Sequence, residues 1–399
     1  MKTQKQKSGS AGRVGPNVKS DCFVQVTNTS SGGITIELTS KVESLYGDSI
    51  RSQITDLLKY FGVKNAVVEV VDQGAVPFVI AARVEAAVKR AGLGTDKIFL
   101  IGDTKSTKTN LRDRARRTRL YFPGNEPHFF LNSGLHKPDC IILDLEDSVA
   151  PSEKDTARIL VRNALLSVNF GGAERMIRIN PFPLGIEDLQ QTVQYNVQTF
   201  LIPKCESSAH VEEVDSEIDK ILKSYDIKRN IFLIPIIESA LGVVKAFEIA
   251  SASRWNCGLA IGLEDYTADI GVERTKTGTE SLFARSIVIN AAKAAGIQAL
   301  DSVFSDVNDE EGLRESVLEA KALGFEGKGC IHPRQIKVIH EAFAPTQKEI
   351  EYAQRVVDAF NKAKQNGSGV ISLGSKMIDA PVVKRAQHIL SLVKLNSDQ

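Results

Sequence analysis

The sequence predicts an α/β protein whose larger part is a closed (β/α)8 barrel, and three observations carry that prediction. Short β-rich runs recur from residue 120 onward, the segments between them are mostly long enough for a helix, and the signatures of competing open-sheet folds are missing. The runs are Leu120–Phe122, Ile141–Leu145, Met176–Ile179, Phe200–Ile202, Phe232–Ile237, Leu259–Leu263, Ile297–Leu300 and Lys328–Ile331. Strands alternating with helices over roughly 240 residues fit a TIM barrel. An open doubly wound sheet is the structural alternative. Against it, no Gly-x-Gly-x-x-Gly fingerprint follows the first run, and no Gly-x-x-x-x-Gly-Lys-Ser/Thr loop occurs.

A chain of 399 residues is long for a single core, so a second folding unit is expected before the barrel. Residues 1–19 are polar and glycine-containing and read as a flexible lead-in. Cys22, Val24 and Val26, then Ile34, Ile36 and Leu38, alternate as half-exposed strands do, with Ser30-Ser31-Gly32-Gly33 between them; this predicts a hairpin. Ile50, Ile54, Leu57, Leu58 and Phe61 follow helical spacing. Ala66–Val71 and Val76–Ile80 read as strands around Asp72-Gln73-Gly74, and Val84, Ala87, Val88 and Ala91 as a second helix. The expected boundaries are a small α+β domain over 20–93, a polar linker over 94–113, the barrel over 114–350 and a C-terminal helical segment over 351–399.

The 50 Lys and Arg residues nearly balance the 49 Asp and Glu residues, which argues against nucleic acid or an anionic membrane as the main partner. The five cysteines form no Cys-x-x-Cys pair and most border apolar runs, as reduced thiols do. No apolar run approaches the roughly 18 residues of a membrane span, and the first residues lack a signal-peptide pattern. A cytoplasmic small-molecule enzyme is the expectation.

Barrel enzymes carry their chemistry at the C-terminal ends of the strands. Those positions hold Pro123-Gly124-Asn125; Asp144, Glu146 and Asp147; Arg178 and Asn180; Lys204 and Glu206; Glu238; Glu264 and Asp265; Asp301; and His332. Carboxylates concentrated at successive tips repel one another, and a bound cation relieves that repulsion. Glu238 and Asp265 end two apolar runs joined by a helical span. If those strands are neighbours, roughly 5 Å apart, the two acids can hold one divalent ion. Oxygen ligands from two carboxylates suit Mg2+, or Mn2+, and the six histidines show no zinc spacing. Glu264 reads as an outer acid rather than a direct ligand. Arg178 either grips a substrate carboxylate or neutralises Glu146, and His332 is left without a role.

Taken together these motifs resemble the citrate lyase beta subunit family, which includes malyl-CoA and citramalyl-CoA lyases. The resemblance rests on Leu120-Tyr-Phe-Pro-Gly-Asn125, Leu143-Asp-Leu-Glu-Asp-Ser-Val149, Arg178-Ile-Asn180, Ile202-Pro-Lys-Cys-Glu206, Ile237-Glu-Ser-Ala-Leu-Gly242, Gly262-Leu-Glu-Asp265, Gly327-Lys-Gly-Cys-Ile-His-Pro333 and Gly374-Ser-Lys-Met-Ile-Asp-Ala-Pro381. It implies a TIM barrel whose Mg2+ sits on Glu238 and Asp265, with Arg178 on the substrate's carboxylate and oxo groups. Glu146, Gly262 and Glu264 join Arg178 as implied substrate contacts, and Pro123, Gly124 and Asn125 are placed against the thioester arm. It also makes Asp379 a catalytic residue on a C-terminal lid that closes over a neighbouring subunit of a homotrimer or hexamer. Gln365-Asn-Gly-Ser-Gly369 reads as its hinge.

The first domain resembles the acyl carrier subunit of citrate lyase through Ile36-Glu-Leu-Thr-Ser40, Tyr46-Gly-Asp-Ser-Ile-Arg51, Asp72-Gln-Gly-Ala75 and Ala82-Arg-Val-Glu-Ala-Ala87. That family carries a phosphoribosyl-dephospho-CoA arm on a serine. Here Lys19 stands at the corresponding place and Ser20 follows it, so either the attachment point has moved to Ser20 or the domain carries no arm.

The implied reaction is Mg2+-dependent reverse Claisen cleavage of a 3-hydroxy-3-carboxy-acyl thioester (citryl, citramalyl or malyl) to an acetyl thioester and a 2-oxo acid. One rival keeps the chemistry but uses free CoA thioesters, with the first domain as a docking module. The other is a non-catalytic scaffold. An acyl-transferase subunit is a further partner in the carrier-bound version.

Overall fold

The computed structural model describes residues 7–102, 110–365, 371–373 and 376–397. Its first unit is a four-stranded sheet packed by two helices. The strands are β1 (Ser8–Ala11), β2 (Cys22–Asn28), β3 (Ile34–Ser40) and β4 (Ala66–Asp72), and the helices α1 (Glu43–Tyr60) and α2 (Pro77–Arg90). The spatial order is β1-β2-β4-β3. β4 runs antiparallel to β2, with Cys22 opposite Asp72, and parallel to β3, with Ile34 opposite Ala66.

Three expectations are corrected here. β2 and β3 do not form a hairpin, because β4, the most apolar of the three, takes the central place between them and leaves the alternating β3 at the edge. Val76–Ile80 is not a strand but the start of α2, with Pro77 in its first turn. Every residue of α2 from Phe78 to Val88 is buried, since the helix lies between the sheet and the barrel, so it has no polar face to mark a helical period. β1 falls inside the stretch expected to be a flexible lead-in and pairs with β2, Gly9 opposite Val26. Residues 97–99 of the expected linker fold back on the first unit, the Phe99 ring packing edge-on against Tyr60, while the Ile101 carbonyl accepts from the Ser167 hydroxyl; residues 103–109 lie outside the described residues.

All eight predicted barrel strands are present: β5 (Thr118–Pro123), β6 (Cys140–Asp144), β7 (Glu174–Arg178), β8 (Thr199–Ile202), β9 (Phe232–Ile237), β10 (Gly258–Ile261), β11 (Gln298–Val303) and β12 (Gly327–Cys330). They are parallel and close into a barrel through the β12–β5 pair, with Gly329 opposite Arg119. The connecting helices are α3 (Lys154–Ser167), α4 (Leu184–Thr192), α5 (Ser208–Ser224), the short pair α6 (Ala240–Val244) and α7 (Ala246–Ser251), α8 (Leu263–Asp269), α9 (Leu282–Ala294), α10 (Glu310–Leu323) and α11 (Arg334–Phe343). Only 3-10 turns, at Pro127–Phe129 and Ser133–His136, follow β5.

The two units are joined by buried polar contacts. Glu85 on α2 receives both terminal nitrogens of Arg162 on α3, at 3.0 and 2.7 Å, with neither side chain exposed. Arg83 forks onto Asp21 at 2.9 Å twice and donates to the Asn125 carbonyl in the loop after β5.

Beyond the barrel, α12 (Gln347–Gln365), the antiparallel pair β13 (Ile371–Leu373) and β14 (Lys376–Ile378), and α13 (Ala380–Ser397) form a separate segment. It has its own small core of Ala353, Val356, Ile378, Val383 and Ala386. The expected hinge, after Gln365, lies outside the described residues. Among the described residues no helix is long and apolar enough to cross a membrane.

Candidate active site

β9 and β10 are neighbours in the barrel, Ile237 opposite Ile261, so Glu238 and Gly262 leave the sheet side by side. Asp265 follows in the first turn of α8. They open into a cavity of about 420 Å³ at the strand ends, lined among others by Tyr121, Pro123, Asp144, Arg178, Glu238 and Asp265.

Glu238 is almost wholly buried, at 5 % exposure. One of its oxygens accepts the Lys204 backbone N–H at 2.6 Å, aimed there by a left-handed turn at Lys204 (φ 48°). Burial pushes the Glu238 carboxyl up to about 8, and the charges of Glu146 and Asp265 add to the push. A cation reverses both effects. At Gly262 a Cβ would lie 2.5 Å from the second Glu238 oxygen, so only glycine leaves that oxygen room. Gly262→Ala is therefore expected to weaken Mg2+ binding at least tenfold while leaving the thermal unfolding midpoint nearly unchanged, as measured by calorimetric titration and a melting scan.

Arg178, on β7, forks onto Asp144 at 2.6 and 2.7 Å and reaches Glu146 at 2.9 Å. These acids hold its proton more firmly than burial loosens it, and the guanidinium stays charged. Lys204 meets the other Glu146 oxygen at 2.8 Å. Burial raises the Glu146 carboxyl above its ordinary value despite these two partners. Asp144, equally buried, is held below its ordinary value because Arg178 and Ser148 outweigh its burial. The result is a wall of fixed charge beside the Glu238–Asp265 pair.

The donor set suits magnesium. Among the described residues no group of three or more His, Cys, Asp and Glu side chains is arranged to hold a metal. An ion here would take two protein carboxylates and complete its shell with water and substrate, a pattern Mg2+ favours and structural zinc does not.

Other expected residues fall in different places. Glu264 is an exposed acid at the cavity rim, paired with Arg274 at 2.5 Å. Pro123 lines the cavity, and the Asp144 carbonyl lies 2.6 Å from where a Cβ on Gly124 would stand, so the fold itself requires glycine at that place. Asn125 gives its carbonyl to Arg83. Asp301 is buried beneath the cavity with Lys328 at 2.7 Å and Arg285 at 3.3 Å. The His332 ring accepts from the Arg334 N–H, a local turn contact. Asp379 is exposed at the start of α13, where its carboxylate accepts the Val382 N–H, and it does not line the cavity of its own chain. Ser20 sits at φ 54° next to the buried Asp21. Sequence reasoning missed Tyr121, whose ring lies 5.5 Å from the Arg178 guanidinium carbon, and Arg119 two residues before it. Their signal was the two-residue alternation that points both inward from β5.

Comparison with known proteins decides the family. Residues 117–333 match the HpcH/HpaI aldolase/citrate lyase model. The chain belongs to that family. Residues 9–91 match the malonate decarboxylase delta subunit model, an acyl-carrier-type domain. Citrate lyase subunit beta of Leuconostoc mesenteroides subsp. cremoris is 43% identical over 287 residues, covering 71% of this chain and 95% of that one. The mitochondrial citramalyl-CoA lyase of Mus musculus is 34% identical over 300 residues, covering 72% of this chain and 88% of that one. A crystal structure of the CitE protein of Mycobacterium tuberculosis with magnesium, acetoacetate and coenzyme A superposes with a TM-score of 0.58 at 31% identity, covering 71% of this chain and all of that one. The chain is thus a lyase of this family rather than a scaffold.

Proposed function

We propose that the protein cleaves a 3-hydroxy-3-carboxy-acyl thioester by a Mg2+-dependent reverse Claisen reaction, releasing an acetyl thioester and a 2-oxo acid. The single observation that carries this reading is the buried Glu238 beside Asp265 at neighbouring strand ends, facing Arg178 across one cavity. Glu238 and Asp265 would hold the ion. Bound there, Mg2+ supplies Lewis acidity toward the hydroxyl and carboxylate of the substrate. Arg178, kept charged and fixed by Asp144 and Glu146, orients the carboxylate of the forming 2-oxo acid. The carbon–carbon bond breaks as the hydroxyl gives its proton to a carboxylate base and its O–H pair becomes the new C=O bond of the 2-oxo acid. The carbon–carbon pair moves to the thioester fragment as an enolate, which takes that proton back at carbon to become the acetyl thioester.

Asp379 is the proposed proton carrier, brought from a neighbouring subunit of a homotrimer or hexamer. Its exposure and its place outside its own chain's cavity support delivery in that way. So do the exposed apolar side chains Leu241, Val244, Phe247 and Phe283 on α6, α7 and α9, which an assembly would cover.

The clamped first domain favours free CoA thioesters over a carrier-bound substrate. Asp21, next to Ser20, is held under Arg83, and Glu85 is locked to Arg162, so the loop of the expected arm has little freedom. Intact-mass measurement after co-expression with arm-attachment enzymes separates the versions: an unmodified mass supports free CoA thioesters, and an adduct on the Ser20 peptide supports the carrier. The reaction itself is tested with citryl, citramalyl and malyl thioesters in the presence of Mg2+ or EDTA. Release of a 2-oxo acid only with the metal is the expected result; no release from any of the three contradicts the reading.

A further inference from the structure

The barrel cavity holds a cation that the reaction described above does not use. Arg119, on β5, is 2 % exposed and lines the cavity, yet only one of its nitrogens has a partner, the Asp301 carbonyl at 2.7 Å. Its Nε and the other terminal nitrogen have no hydrogen-bond partner in the structure. Burying a guanidinium with too few acceptors is costly, and the other fully buried arginines avoid it. Arg83, Arg116 and Arg162, equally buried, each fork onto a carboxylate, of Asp21, Glu174 and Glu85. Asp301 does not serve Arg119 in this way: its Oδ2 meets Lys328 and Arg285, and its Oδ1 has no hydrogen-bond partner in the structure. Of this group Arg119, Lys328 and Arg285 carry positive charge against Asp301 and Glu319, which leaves one cation over.

The position of that surplus charge is informative. Arg119 and Tyr121 point inward from alternate places on one strand, about 7 Å apart along it. The Arg178 guanidinium packs over Tyr121 at 5.5 Å, so the two guanidiniums reach the cavity at different levels, with Arg119 nearer its floor. Ile236 and Ala260 form the apolar surroundings of that floor.

We propose that Arg119 is a specificity-determining residue that receives a second carboxylate of the substrate, the one carried on the substituent left on the 2-oxo acid product. This rests on the lyase reading above and narrows it. A citryl thioester brings a carboxymethyl group, and cleavage gives oxaloacetate; citramalyl and malyl thioesters leave a methyl group or a hydrogen there and offer Arg119 nothing. The structure therefore favours the dicarboxylate product.

Calorimetric titration of the full chain with freshly dissolved oxaloacetate and with pyruvate, each with Mg2+ present, tests this. The two acids differ by the one carboxylate. The wild type is expected to bind oxaloacetate at least tenfold more tightly than pyruvate. Arg119→Gln, which keeps a donor for the Asp301 carbonyl, should lose that preference by weakening oxaloacetate at least tenfold and pyruvate less than threefold. Arg119→Lys, which keeps the charge, should retain part of it. Equal loss for both acids, or no loss for oxaloacetate, overturns the assignment while leaving the lyase reading intact. Absence of Mg2+-dependent binding of either acid to the wild type removes that reading and the proposal with it.

Discussion

Glu238→Gln is expected to lower kcat for thioester cleavage by about 10³-fold while leaving the fold intact. The amide has the shape of the carboxylate and can still accept the Lys204 N–H, so what the substitution removes is a negative charge from the proposed metal site. Steady-state kinetics across a Mg2+ titration, with thermal unfolding as the control, measures this, and activity within tenfold of the wild type would contradict it. The same residue sets a pH dependence. Its carboxyl is pushed up to about 8 and must be ionised to bind metal, so below that pH each bound ion displaces a proton. The apparent Mg2+ affinity should therefore rise by up to about tenfold per unit from pH 6 toward pH 8 and flatten above it. Titrations in buffers of different ionisation enthalpy read the released proton directly.

The second large effect concerns stability. Glu85→Ala leaves the Arg162 guanidinium buried between α2 and α3 with only the Asn163 amide oxygen, the Phe99 carbonyl and the Gln191 amide oxygen in reach. Breaking one side of a buried pair costs about 3–5 kcal/mol, far more than the loss of an exposed pair. Urea unfolding should show that loss, and pairing the change with Arg162→Leu should recover most of it, because no charge is then stranded. A loss below about 1 kcal/mol for Glu85→Ala would mean that the first unit is not held to the barrel in this way. Burial works to raise the Glu85 carboxyl, but Arg162 and Lys89 outweigh it and hold the carboxyl below its ordinary value. This contribution is present above the unfolded-state value near 4.3 and fades as the pH falls through the lower folded value.

The barrel is legible in the residues because most of its strands are buried on both faces and carry short apolar runs, and because a parallel strand places its last residue at the functional end. Glu238 and Asp265 can therefore be paired from the order of the residues alone. The first unit is harder. α2 is buried all round, so Val76–Ile80 looks like a strand, and only Pro77 hints at a helix start. The place of β4 depends on which strand the sheet prefers to bury, a tertiary choice that loop length between β2 and β3 does not reveal. Gly124 has the pattern of a glycine that makes room for a ligand, but the fold itself already requires it beside the Asp144 carbonyl; spacing alone does not say which neighbour approaches a glycine. Asp379 has no local signature at all, since its proposed role lies in another subunit. Arg119 escapes notice because the apolar run begins at Leu120, one residue too late to place the arginine on the inward face of its strand.

Mn2+ can stand in for Mg2+ at a site of hard oxygen ligands, and its anomalous scattering locates it without ambiguity. Diffraction from crystals of the full chain grown with Mn2+ and a 2-oxo acid should give one strong anomalous peak within about 2.3 Å of a carboxylate oxygen of both Glu238 and Asp265. A peak elsewhere in the barrel, or ordered side chains of these two acids turned away from each other with no peak between them, would contradict a magnesium-dependent lyase built on this pair.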